Sequence, residues 1–419
     1  MIYRLFSFFH KKSIEYCLTN GYENLDIREI EDNDIDILLK RVDFKKVEEL
    51  LLDFSKEEEL LLVQVLHHDL WAKNIFLYNP KDGKILNLDL YGELSRKEIP
   101  LFSEEEIFNS LERHEDIPIL SGEKEFIYYL VKKLDKGILS QETFLHLHKL
   151  FIEKQTICNQ LLKVYFPNTY KVVEEIFATK NLVKLNEQRK ILMEDFLTLK
   201  SVSLKQKSLN YMRQLKRITH PTGLTISFLG PDGSGKSTII NTLLERNLPF
   251  RQKEYFHLKP LKRKKEVSSE MIEEPHKYPP YSKMKSYIKL LFFIYQYNMG
   301  WLKNILSLKI RSTLVIFDRY YDDMLVDNRR YRYGGSKKVA KLVSSIVPRP
   351  EIYFILVANA EVIFSRKQEV EYEELSRQIE LYRNLGDGKR YFIIDVNRSV
   401  DEITKEIMDI MMEKMSERY

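Results

Sequence analysis

The chain is poor in cysteine, glycine and proline, has no long apolar run and has no excess of charge of one sign. Its two cysteines, Cys17 and Cys158, cannot make a disulfide framework, and neither has a CxxC partner. They read as free, buried thiols of a reducing compartment, and a cytoplasmic setting is expected. Fourteen glycines and thirteen prolines in 419 residues exclude collagen-like and linker-rich architectures. The most apolar stretch, Leu290 to Tyr297, lies between Lys289 and Lys303 and falls short of the ~18 residues that cross a bilayer. It reads as a buried helix, with a membrane-surface helix as the alternative. Met1 to His10 has neither the basic start nor the small-residue cleavage site of a signal peptide, so none is expected. Lys and Arg number 67 against 62 Asp and Glu, a net charge of +5, so composition does not point to nucleic acid as a partner. What is present is apolar surface: 44% hydrophobic residues, 12% aromatic, enough for sizeable cores. At about 150 residues per domain, the length asks for two or three.

Three stretches differ. In residues 1–102, short apolar runs alternate with helical patterns, and Ile75–Tyr78 and Ile85–Leu90 flank the turn-rich Asn79-Pro80-Lys81-Asp82-Gly83-Lys84. A small α/β domain with an antiparallel hairpin is expected. Residues 103–221 are nearly free of glycine and proline and carry apolar residues at helical spacing. Ser103 and Glu106 form a capping-box signal. Residues 183–217 read as a solvated helical connector, closed by Thr219-His220-Pro221-Thr222-Gly223. In residues 222–419, strands at Leu224–Leu229, Leu314–Phe317 and Ile352–Val357 alternate with helices, which implies a parallel sheet with helices on both faces.

The decisive segment is Gly230-Pro231-Asp232-Gly233-Ser234-Gly235-Lys236-Ser237-Thr238, which fills the GxxxxGK[ST] pattern between an apolar strand and a helix. Glycines let successive backbone N–H groups turn inward on phosphate, and the helix adds its positive end. Lys236 is placed for β/γ-phosphates and the Ser237 hydroxyl for Mg²⁺. Gly230, Asp232, Gly233, Ser234, Gly235 and Thr238 complete the nucleotide loop. Asp318-Arg319 ends an apolar strand, where strand C-termini line the ligand crevice of such a sheet. Asp318 is a candidate metal partner or base, and Arg319 a candidate grip on an anionic acceptor. Arg366-Lys367 on a later helix suits charge neutralisation during phosphoryl transfer. The loop carrying Arg398 can pack on the base of a nucleotide.

With these motifs, residues 224–419 resemble the thymidylate kinase family of P-loop kinases. The resemblance rests on Gly230–Thr238, on Asp318-Arg319-Tyr320 and on the lid-like Arg366-Lys367-x-Glu369. It implies ATP and Mg²⁺ as cofactors and transfer of the γ-phosphoryl group. It also implies Asp232 at the acceptor's sugar, Asp318 and Arg319 at the acceptor phosphate, and Arg366 closing over the transferred group. The family's Arg-Glu-Pro segment is replaced by His257-Leu258-Lys259-Pro260, followed by the basic run Lys262–Lys265. Asp327-Asn328-Arg329-Arg330-Tyr331-Arg332-Tyr333-Gly334-Gly335 is a further departure. The expected function is an ATP- and Mg²⁺-dependent phosphotransferase acting on a nucleotide or another phosphorylated or sugar acceptor, glycans included. An ATP-dependent switch module is an alternative. A homodimer and peripheral membrane contact are both compatible with this picture.

In the N-terminal stretch, Asp34 and Asp36 are two apart on a strand and share a face, and Asp89 is a third acid on another strand. Together they could hold Mg²⁺. This resembles a nucleotidyltransferase-type domain, over roughly residues 10–100, and makes nucleotidyl transfer supported by the P-loop domain a further alternative. A rival pattern, His67-x-Asp69 with Asn74 and Asp89, has the spacing of aminoglycoside-phosphotransferase-like kinases.

Overall fold

In a computed structural model, residues 1–22, 25, 34–200, 204–261, 278–368 and 370–419 are described. Packing divides the chain into two compact units: residues 1–79 and 84–214 with Tyr419, and residues 80–83 with 215–418.

The first unit is built on a seven-stranded mixed sheet. Its strands are β1 (Tyr16–Leu18), β2 (Ile35–Leu39), β3 (Leu61–Asp69), β4 (Ala72–Tyr78) and β5 (Ile85–Tyr91). After a separate two-stranded pair, β6 (Ser95–Arg96) and β7 (Ile99–Pro100), come β8 (Glu112–His114) and β9 (Ile117–Ile119). The sheet order is β3-β4-β5-β2-β1-β9-β8. The expected hairpin is present: β4 and β5 pair antiparallel from Tyr78–Ile85 to Ala72–Tyr91. The Asn79 N–H donates to the Lys84 carbonyl at 2.9 Å to close the turn.

Side-chain alternation splits β2 between two cores. Ile35, Ile37 and Leu39 pack with Phe8, Phe9, Leu51 and Phe54 from the helices Ile2–Lys11 and Val47–Glu57. Leu38 packs instead with the helical layer that follows β9, against Phe126, Leu130, Phe151 and Phe177. By the same two-residue period Asp36 lies on the helical side with Leu38.

Two expectations for residues 103–221 are corrected. The stretch is not all helical, because β8 and β9 extend the sheet; three residues each is too short for a period of two to stand out. Nor is 183–217 a solvated connector throughout. The helix Leu182–Leu197 buries Leu185, Leu192, Met193 and Phe196 in the helical core, hidden in the sequence by the many Lys, Glu and Gln on its outer side. The capping box is made: Ser103 Oγ accepts from the Glu106 N–H, and the Glu106 carboxylate accepts from the Ser103 N–H at 2.7 Å.

The second unit holds a five-stranded sheet in the order β11-β12-β10-β13-β14, with every pairing parallel. The strands are β10 (Leu224–Leu229), β11 (Gln252–His257), β12 (Thr313–Asp318), β13 (Ile352–Val357) and β14 (Tyr391–Asp395). The three central strands β12, β10 and β13 are buried at every position, as expected where helices cover both faces. The apolar stretch at 290–297 lies in the helix Lys283–Gly300, with Leu290, Phe293 and Tyr297 buried. Among the described residues no helix is long and apolar enough to cross a membrane. Cys17 and Cys158 are free and buried, and burial pushes the Cys158 thiol up to about 12.

Candidate active site

The site assembles where the central strands of the second unit end. β10 runs into Gly230, whose φ of +138° and surroundings exclude any side chain: a Cβ there would lie 2.4 Å from the Leu356 carbonyl oxygen of β13. Gly233 and Gly235 also have positive φ, and Gly235 caps the helix Lys236–Glu245. The glycines thus wind the chain back over the end of β10 and start a helix from it. The Lys236 ammonium lies beneath this turn and donates to the carbonyls of Gly230 and Pro231 at 2.8 Å each. Burial, and next the nearby Arg319 charge, lower its pKa to about 7, although Asp232 and Asp318 oppose this. Ser237 and Thr238 are exposed in the first helical turn.

β12 delivers the second half. Its register sets Asp318 beside Phe228 of β10. Burial would raise the Asp318 carboxyl, but contact with His257 and the charges of Lys236 and Arg319 outweigh it and hold the group below its ordinary value. One oxygen, Oδ2, accepts from the Tyr255 hydroxyl at 3.2 Å and faces His257 Nδ1 at 3.9 Å. The other, Oδ1, is buried with no hydrogen-bond partner among the described residues. An ionised carboxylate with an unsatisfied oxygen, on a strand paired with the one that runs into the glycine loop, suits a hard cation that takes one or two protein oxygens and completes its shell with phosphate and water. The residues therefore fit Mg²⁺. No group of three or more His, Cys, Asp or Glu with metal-holding geometry occurs among the described residues.

Arg319 follows in a strained conformation, φ +67°, with its N–H on the Phe228 carbonyl at 2.9 Å. Its guanidinium reaches Asp232 on one side and Asp323 at 3.3 Å on the other. Asp323 is fully buried and also accepts from the hydroxyls of Tyr331, at 2.7 Å, and Tyr382. Beyond Arg319 lies a cleft lined by Pro231, Asp232, Arg330, Lys367, Gln378 and Tyr382, among others. Asp232 and Arg319 thus meet, as the spacing alone could not show. Arg366 is exposed at the end of the helix Ala360–Arg366; it is the adjacent Lys367 that lines the cleft. Arg398 turns to the Asp395 carbonyl and the Glu406 carboxylate. The basic run 262–265 and Glu369 lie outside the described residues. The meeting of Asp323 with Tyr331 and Tyr382 escaped the sequence reading because 8 residues separate Asp323 from Tyr331 and 59 separate it from Tyr382.

A glycine loop on a buried parallel strand, its lysine folded beneath it, and an Asp-Arg pair ending the neighbouring strand agree with the comparison of families. Residues 228–407 match the model of the thymidylate kinase family. The segment is a P-loop kinase domain, thymidylate kinase-like in sheet and loop. Among solved structures, this kinase domain is similar to thymidylate kinase from Candida albicans, at 18% identity over 46% of this chain and 93% of that one, TM-score 0.34. It is also similar to thymidylate kinase from Ehrlichia chaffeensis, at 19% identity over 46% of this chain and 99% of that one, TM-score 0.30. No curated protein matches the sequence.

The N-terminal acids have a different setting from the one expected. β2 and β5 pair with Asp36 beside Asp89, and β4 sets Asn74 beside Asp89. Asn74 donates to Asp89 at 2.6 Å, and Asn87 donates to Asp34. Asp36 accepts from the Tyr91 hydroxyl at 2.8 Å and from Lys132 of the helix Gly122–Lys136, which reaches both its oxygens at 3.1 and 3.3 Å. The expected Mg²⁺ set of Asp34, Asp36 and Asp89 is thus corrected: a buried ammonium takes the Asp36 oxygens, and the three acids form no metal-holding group. Lys132 was overlooked because 96 residues separate it from Asp36. In the rival pattern, Asp69 sits at the β3–β4 turn and accepts from the Leu70 N–H at 2.7 Å, a hairpin position.

Burial, with Asp36 and Asp34 nearby, raises the Asp89 carboxyl to about 6. A carboxyl whose folded pKa lies above its unfolded value contributes stability that is complete below the unfolded pKa and lost as pH rises through the folded one. Asp89 should therefore favour folding at pH 5 over pH 7.5. Urea midpoints at the two pH values should differ less in Asp89→Asn than in the wild type; an unchanged difference would show that Asp89 does not titrate there.

Proposed function

We propose that the protein is an ATP- and Mg²⁺-dependent phosphotransferase whose acceptor enters the cleft between Asp232, Arg319 and Lys367. The observation that carries this is the meeting of Asp232, from the nucleotide loop, with Arg319, from the end of β12. It joins a phosphate-binding turn to a second charged pocket one residue beyond Asp318. The turn and Lys236 hold the β- and γ-phosphates, and Ser237 and Asp318 would hold Mg²⁺, which when bound neutralises phosphate charge. Asp232 orients the acceptor, Arg319 grips its anionic part, and Arg366 with Lys367 approaches from the lid helix. An acceptor oxygen forms a bond to the γ-phosphorus while the bond to the bridging oxygen breaks, and ADP leaves with that electron pair. A nucleotide is the acceptor class that the family match favours. A cytoplasmic setting, where Cys17 and Cys158 stay reduced, belongs to the same proposal.

Single-turnover assays with γ-labelled ATP test it, across nucleoside monophosphates, nucleosides and sugar phosphates. Labelled product with at least one acceptor, lost in Arg319→Gln, is the expected result. Tight ATP binding with no acceptor labelled would favour a nucleotide-dependent switch.

A further inference from the structure

We propose that Arg330 is a specificity-determining residue that grips an oxyanion on the acceptor, exchanging the Asp232 carboxylate for it. This rests on the reading of the cleft as the acceptor site. Asp232 has one carboxylate oxygen on Arg319 and the other on Arg330. The two guanidinium partners are not equivalent. Arg319 already has a dedicated counter-charge in the fully buried Asp323, which two tyrosine hydroxyls hold in place. Arg330 meets Asp232 from a segment outside the sheet, and the two side chains are 17% and 20% exposed against 9% for Arg319, so this is the pair at which an anion arriving from solvent can exchange for the carboxylate.

Arg330 is also delivered rigidly. Its N–H donates to Asp327 Oδ1 at 3.1 Å, and the next residue, Tyr331, is buried with its hydroxyl on Asp323. The Tyr333 N–H closes the segment on the Asn328 carbonyl at 2.9 Å. The neighbouring Arg332 points elsewhere, its guanidinium 4.2 Å from the Tyr281 ring centre. The stretch 329–332 is therefore no uniform solvated basic surface: its parts have separate destinations, and Arg330 goes to the cleft.

Among the described residues, the lining of that cleft brings Arg319, Arg330 and Lys367 together beside Asp232 and Asp327. The ligand this suits carries a phosphate-type oxyanion that accepts the planar guanidinium fork, beside a hydroxyl that can donate to the freed Asp232. A neutral sugar would leave Arg330 on Asp232 and gain nothing from it.

The test uses the full chain saturated with Mg²⁺ and a non-hydrolysable ATP analogue, so that the nucleotide loop is filled, and inorganic phosphate as the probe in isothermal titration. Arg330→Gln is expected to weaken phosphate binding by about tenfold or more, from the loss of a charge-assisted hydrogen bond. Arg330→Lys should recover part of the loss. Asp232→Asn should bind phosphate at least as tightly as the wild type, because it removes the competing carboxylate. A residue that merely braces the cleft predicts the opposite for Asp232→Asn, with both partners' variants losing phosphate alike. That result, or an Arg330→Gln affinity within about twofold of wild type, overturns the proposal. Failure of the ATP analogue to bind sinks the phosphotransferase reading instead. Phosphate titrated into Lys236→Ala protein without nucleotide, with and without Arg330→Gln, would still decide the role of Arg330.

Discussion

Lys236→Ala is expected to reduce phosphoryl transfer by roughly 10²–10³-fold or more, the range for removing one preorganised donor at a reacting centre. The side chain lies beneath the loop and donates to the Gly230 and Pro231 carbonyls, so it is already placed where phosphate meets backbone. The fold should survive, because β10 and the helix Lys236–Glu245 are held by Ile226, Phe228, Ile239, Ile240 and Leu243, all buried. Circular dichroism and the unfolding midpoint check that condition, and wild-type turnover in the variant would rule out the assigned role. A pH signature goes with it. Burial and Arg319 bring Lys236 to about 7. Below that pH the ammonium is present before nucleotide arrives. Above it the amine is largely neutral, and binding a phosphate anion must draw a proton in. ATP affinity is then expected to fall by up to about tenfold per pH unit above 7 through this group. Titrations at pH 8 in buffers of different ionisation enthalpy should show uptake of about one proton in the wild type and none in Lys236→Ala.

Lys132→Met should destabilise the first unit by about 3–5 kcal/mol, the usual cost of leaving a buried charge without its partner. Lys132 and Asp36 are both nearly inaccessible, and Tyr91 and Tyr128 surround the ammonium, with ring centres 6.0 and 5.6 Å away. Methionine keeps the volume and removes the charge, so Asp36 must be protonated or buried without its ammonium. Changing both residues, Lys132→Met with Asp36→Asn, should recover much of the loss, because the amide oxygen still accepts from Tyr91 while the charge is gone. Denaturant unfolding followed by Trp71 fluorescence, in a Trp301→Phe background, reports the first unit alone. If Lys132→Met alone is as stable as the parent, the pair is not what balances Asp36. Divalent-ion binding to this unit is a separate readout: Mn²⁺ should bind no more strongly to the parent than to Asp36→Asn.

The two sites differed in how far the sequence disclosed them. The nucleotide loop was legible because all its working parts are contiguous: glycines that only a phosphate-wrapping turn requires, a lysine, a hydroxyl and a helix start within nine residues, 230–238. The Asp318-Arg319 pair was legible because it ends a fully apolar strand. The charged cleft beyond Arg319 was legible only in part, because Asp323, Arg330 and Tyr382 come from separate segments with no spacing rule among them. The Mg²⁺ expectation for the N-terminal acids failed for the same reason. Asp34, Asp36 and Asp89 could be read as a set, but the ammonium that neutralises Asp36 arrives from a distant helix. The strands β8 and β9 were too short to show a period.

By itself the amino-acid sequence determined a phosphate-binding turn on a parallel α/β sheet, since backbone conformation and strand patterning are local properties. Only the tertiary structure decided which charges face one another: Asp232 between two arginines, Arg319 balanced by a fully buried Asp323, and Lys132 on Asp36. The pairing of Lys132 with Asp36 depends on a distance of 3.1 Å between residues 96 positions apart, and a linear pattern of residue types carries no information about such a distance.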